Sequence, residues 1–407
     1  MSEEKTYTIR SKGYVRYIVI FMGLVGLLDN SLNLMENIAI PGILEEFSID
    51  PEFFAFWQGI FGVVTFAVFF IAWFSDAFGR KKGVLVLMLV MGIPALLIPF
   101  LAINLLMFYI LYSIVITGTL SNLWEIPVTE EAPAEKRGTL GGIATLISLI
   151  PIYAILGPRI ADSLGWRWTY GIFFFMMIGL LLLWYFMKEP QRWLDAKDEK
   201  KHEIRRIKQA LKSLNRTDAI YIIISTIVYG LWSISFKLGS AWGGHYYINV
   251  RSMADEWNTI ILIAGLFILI GALTSGILMD KVSRKATLII GCIGSVLAFI
   301  LLGITGSQIF FWMAYFFMPI VFTWIMVYFA EVYRTEIRTT ATGIAATGAR
   351  TSYIIGPLLA SALLSAFPTM EWFWIIAGLF MIVPLISLVL KPYETKGKTL
   401  EEIQKER

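Results

Sequence analysis

Three ionisable residues stand inside stretches of sequence otherwise suited to hydrocarbon: Asp29, Lys237 and Arg350. A charged side chain at bilayer mid-depth costs at least about 3 kcal/mol, so each one calls for a function. A desolvated carboxyl such as Asp29 can load and release a proton near neutral pH. Asn33 and Glu36 follow it at +4 and +7, which puts all three on one face of a helix. Asp29 is therefore the candidate proton site, its alternative being a structural acid paired with a neighbour. Glu36 is expected near the helix mouth, hydrated. Arg350 keeps its charge and offers a planar fork that matches a carboxylate. Its alternative is an internal ion pair with Asp29 or Glu125. Lys237 is either a second anion contact or a lysine that snorkels to the interface.

A second set of charges closes the apolar stretches, and it occurs twice. Asp76-Ala-Phe-Gly79-Arg80-Lys81-Lys82 is echoed by Asp280-Lys-Val-Ser283-Arg284-Lys285, and Glu130 with Arg137 is echoed by Glu331 with Arg338. Topology alone explains the basic residues, since loops on the cytoplasmic side are rich in Lys and Arg. It does not explain acids paired with them in both copies. Where ion pairs lose part of their water, charge pairing has more leverage than on an open surface.

The elements that must hold these residues are membrane helices. The chain has 407 residues, 57% hydrophobic and 16% charged, with mean hydropathy +0.70. No soluble domain of this length has such a composition. Twelve apolar runs of about 20 residues are legible, from 16–40 to 371–390. They divide into a six-helix half over 1–187, a linker over 188–217, a second half over 218–390 and a tail over 391–407. All Lys and Arg but Arg159, Arg167, Lys237, Arg251 and Arg350 fall on one side of this arrangement. Both termini and the linker are thus predicted to be cytoplasmic. The linker places Leu194, Ile204, Ile207, Leu211 and Leu214 at near-helical spacing, as in an amphipathic helix on the membrane surface. The net charge of +4 follows from topology and points to no nucleic acid. The one cysteine, Cys292, and the two histidines, His202 and His245, have no metal-ligand spacing. No catalytic constellation, metal site or cofactor is expected, so the chain is not expected to be an enzyme.

Asp76…Gly79-Arg80-Lys81 and Gly276…Asp280…Ser283-Arg284-Lys285 resemble the hallmark loop of the major facilitator superfamily. Glu130-Glu-Ala-Pro133-Ala-Glu-Lys-Arg137-Gly138 and Glu331-Val-Tyr-Arg334-Thr-Glu-Ile-Arg338 resemble the signatures of its branch of sugar porters, organic-ion carriers and aromatic-acid:proton symporters. Glu189-Pro190-Gln-Arg192-Trp193-Leu194 is similar to the motif after helix 6, and Pro392-Tyr-Glu394-Thr395-Lys396-Gly397 to the sugar-porter tail. The resemblance spans the chain. It implies an all-α membrane protein of two pseudo-symmetric six-helix bundles, working by alternating access. Asp29 resembles the helix 1 acid of proton-coupled members. Arg350, seven residues before Pro357, resembles the helix 11 arginine of organic-anion carriers. Where sugar porters carry a Gln-Gln pair and a later Asn, Phe236, Lys237 and Trp242 stand here. The helix 4 arginine of this branch is replaced by Tyr109-Ile110-Leu111.

These readings lead to explicit expectations. The chain is a multi-pass, monomeric carrier of the prokaryotic cell membrane that moves a small organic anion with protons. Arg350, Lys237, Asn33, Trp232 and Trp324 contact the substrate and Asp29 carries the proton. Asp76, Arg80, Glu130, Arg137, Asp280, Arg284, Glu331 and Arg338 form the cytoplasmic gate, whose formed pairs favour the outward-open state. The alternatives are a sugar or polyol porter and, from another class, a substrate sensor that does not translocate.

Overall fold

A computed structural model describes residues 10–119, 121, 123–133, 136–191, 194, 214–333, 338–392, 394–396, 398 and 400–406. No strand occurs among them. Ten helices are long and apolar enough to cross a membrane. They are α1 (Lys12–Phe47), α2 (Pro51–Phe78), α3 (Arg80–Leu101), α5 (Thr139–Leu164), α6 (Trp166–Phe186), α7 (Arg216–Val250), α8 (Ala254–Lys281), α9 (Arg284–Thr305), α10 (Gln308–Phe329) and α12 (Glu371–Val389). The two other expected spans are present and depart from that standard for physical reasons. In α4 (Leu105–Gly118) the helix stops at Thr119, whose backbone is extended, and resumes as a short helix over Glu125–Glu131. α11 (Arg338–Ala366) is the longer of the two but carries Arg350, Thr351 and Ser352 where its neighbours carry leucine and isoleucine.

Local chemistry sets the ends. Asn215 and Asp218 form a reciprocal capping box at the start of α7, and the Ser283 side chain accepts from the Ala286 N–H at the start of α9. Gly306, in the left-handed region at φ 65°, ends α9. Large apolar side chains such as Phe70, Leu182 and Val389 stand exposed on the helices, as contact with acyl chains requires.

By packing, Met1–Gly42 with Val64–Ile204 forms one unit, and Ile43–Val63 with Arg205–Arg407 a second. The first half of α2 thus belongs to the second unit. In the first unit α1 is the inner helix: 83% of its most apolar stretch is buried, against 33% for α5 and α6. A Cβ on Gly26 would lie 2.7 Å from that of Ser148, so α5 approaches α1 closely there, and the Asn30 amide donates to the Ser148 carbonyl at 3.2 Å. In the second unit α7 and α11 meet as closely, with Gly348 against the Thr226 carbonyl. Small residues at such crossings let packing hold the helices where lipid supplies no hydrophobic drive.

The predicted linker helix lies for the most part outside the described residues, as do the side chains of Arg137 and Arg338.

Candidate functional site

In the first unit α1 brings four polar side chains into the interior: Asp29, Asn33, Glu36 and Asn37 are all buried. For Asp29 this matches the expectation. For Glu36 it is a correction, because the residue is 2% exposed and not hydrated. The reason is the length of α1, which runs on to Phe47 and carries Glu36 deep among its neighbours, within electrostatic reach of Tyr170 of α6. Glu125, at the start of the short helix after α4, lies within reach of the Asp29 charge. Two carboxyl groups of the first unit therefore lie within electrostatic reach of one another.

In the second unit Lys237 of α7 and Arg350 of α11 are each 5% exposed. They share a neighbour that the sequence reading missed. The Lys237 Nζ lies 4.7 Å from the centre of the Tyr353 ring, and the Arg350 Cζ lies 5.8 Å from it. The two cations are thus no further apart than the sum of those distances. The spacing Arg350-x-x-Tyr353, one turn apart on a helix, was the available signal. Lys237 does not snorkel; its stem packs against Gly356 of α11, where a Cβ would meet it at 3.4 Å.

The two tryptophans differ. Trp232 is stacked between Phe236 and Phe322, at 5.2 and 4.8 Å, and its indole N–H donates to the Met318 carbonyl at 3.2 Å. It is committed to holding α7 on α10. Trp324 is fully buried and stacked on Tyr328 at 4.4 Å, and its indole nitrogen has no hydrogen-bond partner. A polar group in that condition is available for a ligand. Gln58 of α2 is in the same condition at both its amide atoms, and it is the one amide in the run 53–75.

The charge clusters at the helix ends form as paired arrangements within each unit. In the first, Arg80 Nε donates to Glu130 Oε1 at 3.1 Å and its Nη1 to the Asp76 carboxylate. In the second, Arg284 Nη2 donates to Glu331 Oε1 at 3.1 Å and its Nη1 to Asp280 Oδ1 at 3.2 Å. The outer acids are mostly solvated, Asp76 at 62% and Asp280 at 81% side-chain exposure, whereas Glu130 and Glu331 are largely buried. The cross-helix pairs therefore carry more of the interaction. Burial pushes the Glu130 carboxyl above its usual range, and Arg80 only partly offsets that.

Behind each pair stands a third acid. Glu189, just after α6, accepts the Lys81 N–H at 3.1 Å at the start of α3. Glu394, in the tail, accepts the N–H groups of Arg284 and Lys285 at 3.1 and 3.3 Å at the start of α9. Burial alone would raise the Glu394 carboxyl, but these donors and Lys396 N–H hold it below its usual range. Thr395 donates to Glu331 Oε2 at 2.5 Å, which ties the tail to the gate pair. The second unit's cluster is thus closed by residues beyond its last membrane helix.

Helices of membrane-spanning length in two sets, charges buried within each, and an ion-pair cluster repeated in each unit are the arrangement of a polytopic membrane protein. The model of the Major Facilitator Superfamily matches residues 19–327 and 255–407, and the chain belongs to that superfamily. It is 25% identical over 374 residues to the glucose transporter GlcP of Staphylococcus epidermidis, covering 82% of this chain and 83% of that protein. It is 26% identical over 390 residues to the probable metabolite transport protein CsbC of Bacillus subtilis, covering 81% and 80%. Among solved structures, the D-xylose-proton symporter superposes with a TM-score of 0.73 at 18% identity, covering 96% of this chain and 100% of that one. The inward-open xylose transporter XylE of E. coli gives 0.72 at 18%, covering 96% and 99%. These likenesses establish the fold.

Proposed function

We propose that this chain is a proton-coupled carrier of a sugar or sugar-like metabolite. The observation that carries the reading is the similarity along some four-fifths of the chain to a glucose transporter and a metabolite transport protein. That similarity favours the sugar alternative over a general organic-anion carrier. Asp29, buried on the inner helix within reach of Glu125, is the proposed proton site. Arg80–Glu130 and Arg284–Glu331, with Asp76 and Asp280, are the proposed switch between access states, with both termini cytoplasmic. Asn33 and Trp324 are proposed substrate contacts.

A second reading has its own observation. Lys237 and Arg350 gathered on one tyrosine ring suit an anionic group better than a neutral sugar. Uptake into liposomes by the purified protein, with and without an inward proton gradient, separates the cases. Glucose and xylose uptake that ignores Arg350→Ala supports the neutral-sugar reading. Carboxylate uptake abolished by Arg350→Ala supports the anion reading. Asp29→Asn is expected to abolish gradient-driven uptake while counterflow persists, and gradient-driven uptake unchanged in that variant would refute the coupling role. Binding without net flux for every solute would identify a sensor.

A further inference from the structure

Three tyrosines of the first unit keep their hydroxyls buried without a hydrogen-bond partner: Tyr112 of α4, Tyr153 of α5 and Tyr170 of α6. A phenylalanine would fill each place without the cost of an unsatisfied hydroxyl. Buried polar groups in that state are met by ordered water where the site is polar.

Their depths along α1 follow from contacts. The Tyr17 hydroxyl donates to the Leu183 carbonyl, and a Cβ on Gly42 would lie 3.0 Å from that of Trp166, so α1 and α6 run antiparallel. Tyr17 to Gly42 is 25 residues and Leu183 to Trp166 is 17. Six residues back from Gly42 therefore match about four forward from Trp166, which sets Glu36 level with Tyr170. The electrostatic effect of Glu36 on the Tyr170 hydroxyl agrees with that register. No hydrogen bond reaches that hydroxyl, so Glu36 acts on it across a gap wider than a direct bond, where water belongs. Tyr112 lies beside Tyr170, ring centres 5.9 Å apart, and Phe108 packs on both, at 5.3 and 6.2 Å.

α5 runs parallel to α1, with Gly26 against Ser148 and Gly157 against Met35 and Ile38. Tyr153, one turn before Gly157, thus stands at a depth between Glu36 and Asp29. Those two acids are seven residues apart on one face of α1, about 10 Å and too far for a direct proton hop. Asn33, also buried, lies between them. Other charged groups on the helices around them are placed elsewhere. The Arg167 guanidinium donates to the Ala102 carbonyl at 2.8 Å and lies over the Trp166 ring, and Arg159 and Asp162 of α5 are exposed.

With the N-terminus cytoplasmic, Glu36 is on the outer side of Asp29. We propose that Glu36, with the hydroxyls of Tyr112, Tyr170 and Tyr153, holds a file of water that relays protons between the outer side and Asp29. Glu36 takes a proton on a carboxylate oxygen from the outer water and gives one up inward, so one proton enters for each that reaches Asp29. The phenols hold the water and end with the protons they began with. The proposal deepens the carrier reading above and rests on it, with Asp29 as the proton site.

The test is uptake of glucose, xylose and gluconate by the full chain in liposomes, under an inward proton gradient and in counterflow without one. Glu36→Gln is expected to slow gradient-driven uptake at least about tenfold while KM and counterflow stay at wild-type values. Tyr170→Phe and Tyr153→Phe are expected to slow it by a smaller factor and to unfold at a temperature no lower than wild type. Glu36→Asp, which keeps an acid, is expected to retain most of the rate. Glu36→Gln added to Asp29→Asn is expected to change nothing further. Gradient-driven uptake at the wild-type rate in Glu36→Gln, or in both tyrosine variants, overturns the relay and leaves the carrier reading standing. So does counterflow slowed as much as gradient-driven uptake, which would mark a structural or substrate-binding role. Wild-type uptake indifferent to the gradient, or absent for all three probes, overturns the coupled-carrier reading and the relay with it.

Discussion

Arg350 and Lys237 both hold a cation on Tyr353, yet they are not interchangeable. Arg350 offers parallel donors in one plane, whereas Lys237 is a point charge on a stem pressed against Gly356. Arg350→Lys should therefore cost about tenfold or more in the affinity for a carboxylate even though the charge is retained. Equal binding of the acids by Arg350→Lys and wild type, in a titration of the purified protein, would show that charge alone matters there. At this scale the sequence was informative about which residues are unusual and silent about their partners. Asp29, Lys237 and Arg350 stand out because hydrocarbon tolerates them poorly. That Glu125 lies within reach of Asp29, and that Lys237 and Arg350 meet on a tyrosine, depends on how helices rotate against one another, which no single run of residues records. Gln58 escaped because an uncharged amide hardly changes the hydropathy of its run.

Between helices, two kinds of contact carry testable weight. One is the close approach of α2 to α11 at Gly62. Any side chain there meets the Tyr353 carbonyl, a backbone atom that cannot rotate away. Gly62→Ala is expected to cost about 1–3 kcal/mol, read as a lowered unfolding temperature in detergent. The other is the tail acid at the start of α9. Glu394→Gln removes a carboxylate that accepts three backbone N–H groups, and it should cost about 1 kcal/mol as a lost helix cap. The pH dependence has a definite sign. The folded carboxyl sits below its usual range, so its contribution is complete above the ordinary carboxylate pKa and disappears as pH falls through the lower folded value. The difference in unfolding temperature between wild type and Glu394→Gln should shrink as the solution is acidified, and a difference that grows would contradict the assignment. The tail motif was visible in the sequence, but its role as a brace was not, because nothing local says which helix it reaches.

For the molecule as a whole, the gate pairs make a prediction about access. Glu130→Gln with Glu331→Gln removes the buried partner of Arg80 and of Arg284 together. The double variant should shift the population away from the outward-open state. A Ser240→Cys reporter on α7 would register this as slower labelling by an impermeant maleimide added outside. Cys292, the only native cysteine, is fully buried and leaves the background quiet. An unchanged labelling rate would reduce the clusters to topology markers. The whole-molecule architecture was the most legible level. Twelve runs, a twofold charge pattern and a basic side suffice to lay out the fold, because the bilayer allows so few alternatives. The two spans that depart from the simple count, α4 and α11, are those interrupted or made polar.

The two bracing acids are themselves a repeat. Glu189 and Glu394 do the same task for α3 and α9, one from the stretch just after α6 and the other from the tail. The repeated unit is then longer than six membrane helices: it includes its own closing strap. On that view the tail is no appendage but the twin of the connector's first residues.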